Sequence, residues 1–326
     1  MENKSIFIRR IYMDIDRYVD FKEKVVKNVS KAIVGKEKII ELIAISFICG
    51  GHVLLEDVPG LGKTLMVKAF AKTVGGSFKR IQFTPDLLPS DLTGINFYNQ
   101  KKAEFEFRPG PLFANIILAD EINRATPRTQ SSLLEAMEEK QVTVDGVTWK
   151  LPDPFMVLAT QNPVETYGTF PLPEAELDRF FMRIKVGYPT REEEIEIINR
   201  NKKRDILEDV ESVISLDEVY YLRDNFSEVR ISREVMDYLL DIVEYTRNSD
   251  SILLGVSPRG SIALFKASQV YALFNGRDYV IPEDIKYLAP FVLNHRIISI
   301  GASRTKDIYE NINIILENIK VPLEEV

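Results

Sequence analysis

The stretch that decides the fold is HVLLEDVPGLGKT, residues 52–64. Its first five residues form a nearly continuous apolar run, which is typical of a parallel strand buried on both faces. The glycines that follow let the backbone approach a phosphate group, Lys63 is placed to reach the outer phosphates, and the Thr64 hydroxyl is a ligand for Mg²⁺. The pattern GxxxxGK[ST] is met only at its GK[ST] end, because its first glycine falls at Asp57. A turn that simply begins a helix is therefore the alternative at this stage.

Outward from this stretch, short apolar runs alternate with helical patterns up to about residue 189, which predicts an α/β fold with a parallel sheet. The strand candidates are His52 to Glu56, Phe78 to Phe83, Ile116 to Asp120, Phe155 to Thr160 and Phe181 to Val186. Beyond that point the segments have helical patterns, beginning with a capping box formed by Thr190 and Glu193. We therefore expect a nucleotide-binding domain over 1–189 and a helical domain over 190–326.

The amino-acid composition disfavours several kinds of binding site and binding partner. The chain has 326 residues with 42 Lys and Arg against 49 Asp and Glu, so its net charge is −7. This balance disfavours binding to nucleic acid or to an anionic membrane surface, although a local basic patch stays open as an alternative. One Cys and two His disfavour a disulfide framework and a zinc site. The sequence has neither an export signal nor a membrane-spanning apolar run, so we expect a cytoplasmic protein.

Polar side chains follow two further strands of the predicted sheet. Asp120 and Glu121 come at the end of IILAD, where an open α/β sheet collects its ligands, and Asn162 follows FMVLAT. Asp120 is placed to hold Mg²⁺, Glu121 to orient and deprotonate an attacking water, and Asn162 to help position that water. The alternatives are an acidic pair favoured by a helix N-terminus and an Asn-Pro turn.

Two arginines are candidates for stabilising charge during phosphoryl transfer. Arg179 lies just before the last strand candidate, and Arg259 lies in the first turn of a helix that Ser257 is expected to cap. An arginine finger is worth about 10³ to 10⁵ in rate. A solvated or salt-bridged surface group is the alternative for each, and Asp178 beside Arg179 offers such a partner.

With these elements in this order, the chain resembles the MoxR family of AAA+ ATPases from about Val25 to the C-terminus. The motifs that carry the resemblance are LLEDVPGLGKT (54–64), FTPDLLPSDLTG (83–94), GPLFANIILADEINRA (110–125), LLEAMEE (133–139), ATQNP (159–163), LPEAELDRFFM (172–182) and SPRG (257–260). The resemblance implies a P-loop NTPase αβα sandwich with a parallel five-stranded sheet, followed by a C-terminal all-α lid domain.

The resemblance also implies ATP and Mg²⁺ as cofactors. The implied nucleotide-binding positions are Val34, Gly35, Pro59, Gly60, Leu61, Gly62, Lys63, Thr64 and Leu65. Val34 and Gly35 resemble the segment that lies against the adenine, and an ordinary loop before a helix is the alternative. Thr64 and Asp120 are the implied metal ligands.

Four residues take implied catalytic roles. Glu121 completes Walker B, Asn162 corresponds to sensor 1 and Arg259 to sensor 2. Arg179 corresponds to the finger that acts on the nucleotide of a neighbouring subunit. Arg124 is a second, weaker candidate for a contact between subunits.

Two segments resemble insertions of this clade. Residues 85–108 lie where the clade places an insert in its second helix, and residues 141–150 alternate around Asp145-Gly146, which predicts a hairpin before sensor 1. Their aromatic side chains, Trp149 among them, either grip a partner in the pore of a ring or pack against the insert. His52, His295 and Cys49 are interpreted as structural.

The resemblance implies a ring-forming ATPase, most simply a homohexamer, that remodels or matures partner proteins. Family members act as chaperones, often for partners with a von Willebrand factor A domain and a metal site, which includes metal-cofactor insertion. One alternative is an ATP-gated binding switch with slow hydrolysis. A second is a DNA-linked or chelatase-linked motor. The acidic balance disfavours the DNA-linked form, and without an appended integrin-like or nuclease domain we expect neither.

Overall fold

The computed structural model describes residues 14–56, 60–162, 168–200, 206–300 and 308–322. The helices are α1 (Ile15–Val29), α2 (Glu37–Ile48), α3 (Lys63–Thr73), α4 (Pro89–Thr93), α5 (Pro127–Glu139), α6 (Glu174–Leu177), α7 (Arg191–Arg200), α8 (Leu216–Asn225), α9 (Arg233–Asn248), α10 (Pro258–Phe274), α11 (Pro282–Leu293) and α12 (Ile308–Asn318). The strands are β1 (Val53–Glu56), β2 (Phe78–Gln82), β3 (Gly94–Asn99), β4 (Glu104–Pro109), β5 (Ile116–Asp120), β6 (Gln141–Val144), β7 (Val147–Lys150), β8 (Met156–Gln161), β9 (Met182–Lys185), β10 (Ile252–Leu254) and β11 (Ile298–Ser299).

The central feature is a five-stranded parallel sheet in the order β2-β5-β8-β1-β9. The predicted parallel α/β fold is confirmed. β8 lies between β1 and β5, so the segments that follow these three strands emerge side by side at one edge of the sheet. Because ligands of open α/β sheets bind outside the carboxyl ends of the strands, this edge is where a nucleotide site is expected.

Helices cover both faces of the sheet because side chains alternate along each strand. Val53 and Leu55 pack with α1, α2 and α3 in one core cluster, whereas Leu54 packs with α5 in the other. The central strands are buried along their length, which explains why their sequences read as continuous apolar runs. Within the described ranges, no helix is both long enough and apolar enough to cross a membrane.

The lid domain that follows the sheet is mainly helical, and α8 to α11 pack into the same core cluster as α1 to α3. It departs from an all-α domain at one point, where β10 and β11 form an antiparallel pair. The capping box has the expected geometry: the Thr190 N–H donates to Glu193 Oε2 at 2.8 Å, and the Glu193 N–H donates to Thr190 Oγ1 at 3.3 Å. Ser257 caps α10 by accepting from the Gly260 N–H at 3.4 Å.

Two antiparallel hairpins lie outside the five-stranded sheet, in segments of the chain that connect its strands. One pairs β3 with β4, and the other pairs β6 with β7 through Asp145 and Gly146, both at positive φ. The hairpins contact each other, since Phe107 stacks on Trp149 with ring centroids 4.5 Å apart and the Asn96 amide donates to Asp145 at 2.8 Å. Trp149 therefore packs against the insert, which is one of the two roles that its position in the sequence suggested.

Candidate functional site

The phosphate-loop candidate connects β1 to α3. Gly60 and Gly62 have φ of +91° and +77°, a left-handed region that favours glycine, and Gly62 is the N-cap of α3. Lys63 and Thr64 form the first turn of α3, where backbone N–H groups and the helix dipole favour an anion. Leu61 and Leu65 are half-buried against the core below this turn, and Pro59 lies outside the described residues.

The Val34-Gly35 segment lies beside this loop, between α1 and α2. A Cβ built on Gly62 would come 3.2 Å from Ile33 Cδ1, so the chain just before Val34 packs against the loop. Gly35 has a φ of +68°, and a side chain there would overlap Glu193 at the start of the lid. The structure therefore places this segment between the phosphate loop and the lid.

Asp120 at the end of β5 is held from two sides. Its Oδ1 accepts from Thr160 Oγ1 at 2.6 Å, and its Oδ2 accepts from Arg80 Nη2 at 2.6 Å and Nε at 3.1 Å. The Asp120 side chain keeps 14% of its surface exposed. A carboxylate here and the hydroxyl of half-buried Thr64 in the first turn of α3 are oxygen ligands of the kind that Mg²⁺ prefers, so the residues present fit that ion.

Glu121 is positioned by its backbone as well as by its side chain. Its φ of +56° is uncommon for a residue with a Cβ, and its N–H donates to Thr160 Oγ1 at 2.8 Å. Its Oε2 accepts from Gln82 Nε2 at 2.6 Å and lies 3.2 Å from Arg124 Nε. Arg124, the weaker candidate for a contact between subunits, therefore pairs with a carboxylate of its own chain.

Asn162 follows β8 directly and is 8% exposed. Because β8 lies between β5 and β1, Asn162 lies between the end that carries Asp120 and Glu121 and the end that leads to the phosphate loop. The structure thus brings the phosphate loop, the acidic pair and this amide to one edge of the sheet.

The two candidate arginines lie at the opposite edge. Arg179 Nε is 3.3 Å from Glu138 Oε2, and Arg259 Nη2 donates to Glu138 Oε1, so both share one carboxylate at the end of α5. They line a cleft of about 390 Å³ together with Gly50 and Gly51, which precede β1. The phosphate loop follows the other end of β1, so neither arginine is placed beside the loop of its own chain.

Several contributors to the site were not identified from the sequence. They are Arg80 and Gln82 on β2, Thr160 on β8, Glu138 on α5 and Arg296 after α11. Thr160 had a usable signal, since it lies at a strand end within ATQNP. The others depend on contacts between distant segments, for which the sequence shows no local pattern.

The two histidines have structural roles, as the sequence suggested. His52 Nδ1 accepts the Val157 N–H at 2.9 Å, so its Nε2 donates to the Met137 carbonyl at 3.0 Å. Burial lowers the pKa of His52 to about 4 and also lowers the pKa of His295, which is close to Arg296. Burial raises the pKa of the Cys49 thiol, which disfavours a reactive thiolate.

Comparisons with known proteins agree with this geometry. A family profile described as "ATPase family associated with various cellular activities (AAA)" matches residues 52–182, and an AAA lid domain profile matches residues 244–315. The chain is 40% identical to Chaperone MoxR1 of Mycobacterium tuberculosis, covering 92% of this chain and 82% of that protein. It is 52% identical to the uncharacterized protein YeaC of Bacillus subtilis, covering 92% and 95%. A crystal structure from Cytophaga hutchinsonii, of a protein assigned as an ATPase, matches with a TM-score of 0.86 at 42% identity and covers 94% of this chain and 98% of that one.

Proposed function

Because the chain belongs to the MoxR-type AAA+ ATPases, we propose that it forms a ring, most simply a homohexamer, and couples Mg²⁺-dependent ATP hydrolysis to the remodelling of partner proteins. The chaperone-like role follows the family. The partners we propose are proteins with a von Willebrand factor A domain, including those that receive a metal cofactor.

The observation that carries the proposal is the separation of the two halves of the site. The phosphate loop and Asp120 lie at one edge of the sheet, and Arg179 and Arg259 lie at the other. A single subunit therefore has a nucleotide site without these arginines and arginines without a nucleotide. Head-to-tail packing in a ring brings the arginine edge of one subunit to the nucleotide edge of the next, which supports hydrolysis that depends on assembly.

Each residue at the nucleotide edge has a proposed task. Gly60 to Thr64 bind the phosphates through backbone N–H groups and Lys63, and Val34 and Gly35 flank the base. Thr64 and Asp120 would hold Mg²⁺, which when bound offsets the negative charge of the phosphates.

The two remaining residues at this edge act on the attacking water. Glu121 orients and deprotonates that water, and Asn162 helps to position it. Glu121 has a left-handed backbone, and its N–H donates to the same Thr160 hydroxyl that donates to Asp120, which supports a shared role for the two acidic residues.

Hydrolysis assays on single variants test this proposal. We expect Glu121→Gln to bind ATP but to hydrolyse it at a small fraction of the parent rate, and Arg179→Ala to lose about 10³-fold or more. Arg230→Ala is the matched control, because Arg230 is an exposed arginine whose ion-pair partner, Asp278 at 2.9 Å, also lies in the helical part of the chain after residue 190. Parent-like turnover in Glu121→Gln or Arg179→Ala, at concentrations where the parent is assembled, would contradict the assignment of that residue.

A second candidate function, a nucleotide-gated binding switch, is favoured by one observation. Arg80 and Gln82 already engage Asp120 and Glu121, so both carboxylates have partners that compete with the reaction. A slow ATPase would then act as a timer for partner binding. Proteins that co-purify with Glu121→Gln in ATP would be compared with those retained by the parent during turnover. If the same proteins are retained in both cases, the result favours the switch. If bound proteins are released only during turnover, the result favours remodelling.

A further inference from the structure

We propose that Arg296 of the lid is a positioning residue for the two arginines that act on the neighbouring subunit, and that it acts through Asp178. The inference rests on the proposed function, because it assigns a role in holding Arg179 and Arg259 for that reaction. Arg296 follows α11 and is 5% exposed, so it does not itself reach a neighbouring nucleotide.

Arg296 holds the chain on both sides of Arg179. Its Nε donates to Asp178 Oδ1 at 2.8 Å, and its Nη2 donates to the Asp178 carbonyl at 3.1 Å and the Phe180 carbonyl at 2.7 Å. Its Nη1 donates to the Phe181 carbonyl at 3.4 Å. One guanidinium thus fixes the residues immediately before and after Arg179, and only arginine offers this planar fork of donors.

Asp178 connects this loop to the second arginine. Its Oδ2 accepts from Ser257 Oγ at 3.0 Å, and Ser257 caps the helix whose first turn carries Arg259. Arg259 and Arg179 then meet at Glu138. These contacts connect the loop that carries Arg179 to the first turn of α10, so they hold the two arginines in a fixed relation to each other.

The first turn of α10 is shaped to admit Arg296. A Cβ on Gly260 would come 2.7 Å from Arg296 Cδ and 2.5 Å from Val256 Cγ1, so a larger residue would push the guanidinium away. Three residues of the SPRG motif therefore take part in this cluster of contacts: Ser257 binds Asp178, Arg259 binds Glu138, and Gly260 leaves room for Arg296. Burial lowers the pKa of Arg296 to about 10, with Asp178 opposing the shift, so the side chain stays charged at neutral pH.

The test is a subunit-mixing experiment with Arg296→Met. Alone, we expect this variant to lose about 10²-fold in kcat, the size of effect that a misplacement of about 1 Å produces. Its KM for ATP should stay within about twofold of the parent value, since the phosphate loop lies at the other edge of the sheet. Arg296→Lys, which keeps the charge but not the planar fork of donors, should have a kcat between that of the parent and that of Arg296→Met.

Mixing with Glu121→Gln distinguishes misplacement of the two arginines from a general loss of structure in Arg296→Met. Glu121→Gln subunits have an inactive site of their own but intact arginines, so in a mixed ring they should raise the activity of Arg296→Met by at least about tenfold. Arg179→Ala mixed in the same way is the reference for rescue by a neighbour. Should Arg296→Met fail to fold, Asp178→Asn removes the charged anchor at nearly constant volume and is expected to show a smaller loss that is rescued in the same way.

Arg223→Met is the matched control. Arg223 is a lid arginine, its side chain is 12% exposed, and it donates to the Phe47 carbonyl at 2.6 and 3.1 Å without touching the Arg179 loop. It should keep a parent-like kcat.

Three results would overturn the inference. The first is parent-like kcat in Arg296→Met. The second is a loss of activity in Arg296→Met that Glu121→Gln does not rescue although it rescues Arg179→Ala, and this result would leave the proposed function standing. Absence of rescue for Arg179→Ala itself would refute the transfer of arginines between subunits, and the inference with it.

Discussion

Replacement of Thr160 by valine removes two hydrogen bonds at the centre of the nucleotide edge without changing the size of the side chain. The Thr160 hydroxyl donates to Asp120 Oδ1 at 2.6 Å and accepts the Glu121 N–H at 2.8 Å, and the residue is 1% exposed. A hydrogen bond to a charged group contributes about 1.5–3 kcal/mol and one between neutral groups about 0.5–1.5 kcal/mol, so we expect the free energy of unfolding to fall by about 2–4.5 kcal/mol.

The same change should lower kcat, because the bond to the N–H helps to hold Glu121 in its left-handed conformation, which costs about 1–2 kcal/mol for a residue with a Cβ. Urea denaturation without nucleotide gives the first quantity and steady-state ATP hydrolysis gives the second. Thr148→Val is the control, since that hydroxyl is 3.1 Å from Thr143 Oγ1 on the exposed hairpin and its loss should cost less than about 0.5 kcal/mol. A Thr160→Val protein as stable and as active as the parent would show that the Thr160 hydroxyl holds neither Asp120 nor Glu121.

Three further outcomes are expected. Arg80→Met should lower the Mg²⁺ concentration needed for half-maximal binding of a fluorescent ATP analogue, because Asp120 loses a competing cation; an unchanged requirement would show that Arg80 does not compete. His52→Gln should make unfolding less sensitive to acid. His52 takes up a proton near pH 6.5 when unfolded but only near 4 when folded, so the free energy of unfolding of the parent falls by roughly 3 kcal/mol across that range. Equal dependence of stability on pH in the parent and the variant would exclude this role of His52. Phe107→Ala should shift the emission of Trp149, the single tryptophan, to longer wavelength, and an unchanged spectrum would contradict the stacked arrangement.

The sheet could be predicted because its pattern is local. β1, β5 and β8 are buried on both faces, so burial alone makes them continuous apolar runs. The observed bounds of β5 equal the expected ones, and those of β1 and β8 differ by at most one residue at an end. The helix cap at Thr190 could likewise be predicted, because its partner Glu193 is only three residues away in the sequence. The hairpin of β3 and β4 was not predicted, because its turn lacks the Asn-Gly or Asp-Gly signal and uses Ala103 at a φ of +54°.

The arginine edge could not be predicted because its contacts join distant segments. Arg259 meets Glu138 across 121 positions, and Arg296 meets Asp178 across 118. Charged residues in these helices read as ordinary solvated groups, and only the order of the strands and the docking of the lid bring them together. The sequence suggested Arg179 and Arg259 as candidates, whereas the structure shows that Glu138 contacts both of them.

If the arginine edge of one subunit completes the nucleotide edge of the next, ATP hydrolysis requires assembly. The specific ATPase activity of the parent protein should therefore be measured across protein concentrations from monomer to full assembly, with the degree of assembly followed by sedimentation. We expect the activity per subunit to rise in step with assembly and to reach a plateau when assembly is complete. Specific activity that is the same for the monomer and for the assembled protein would contradict it.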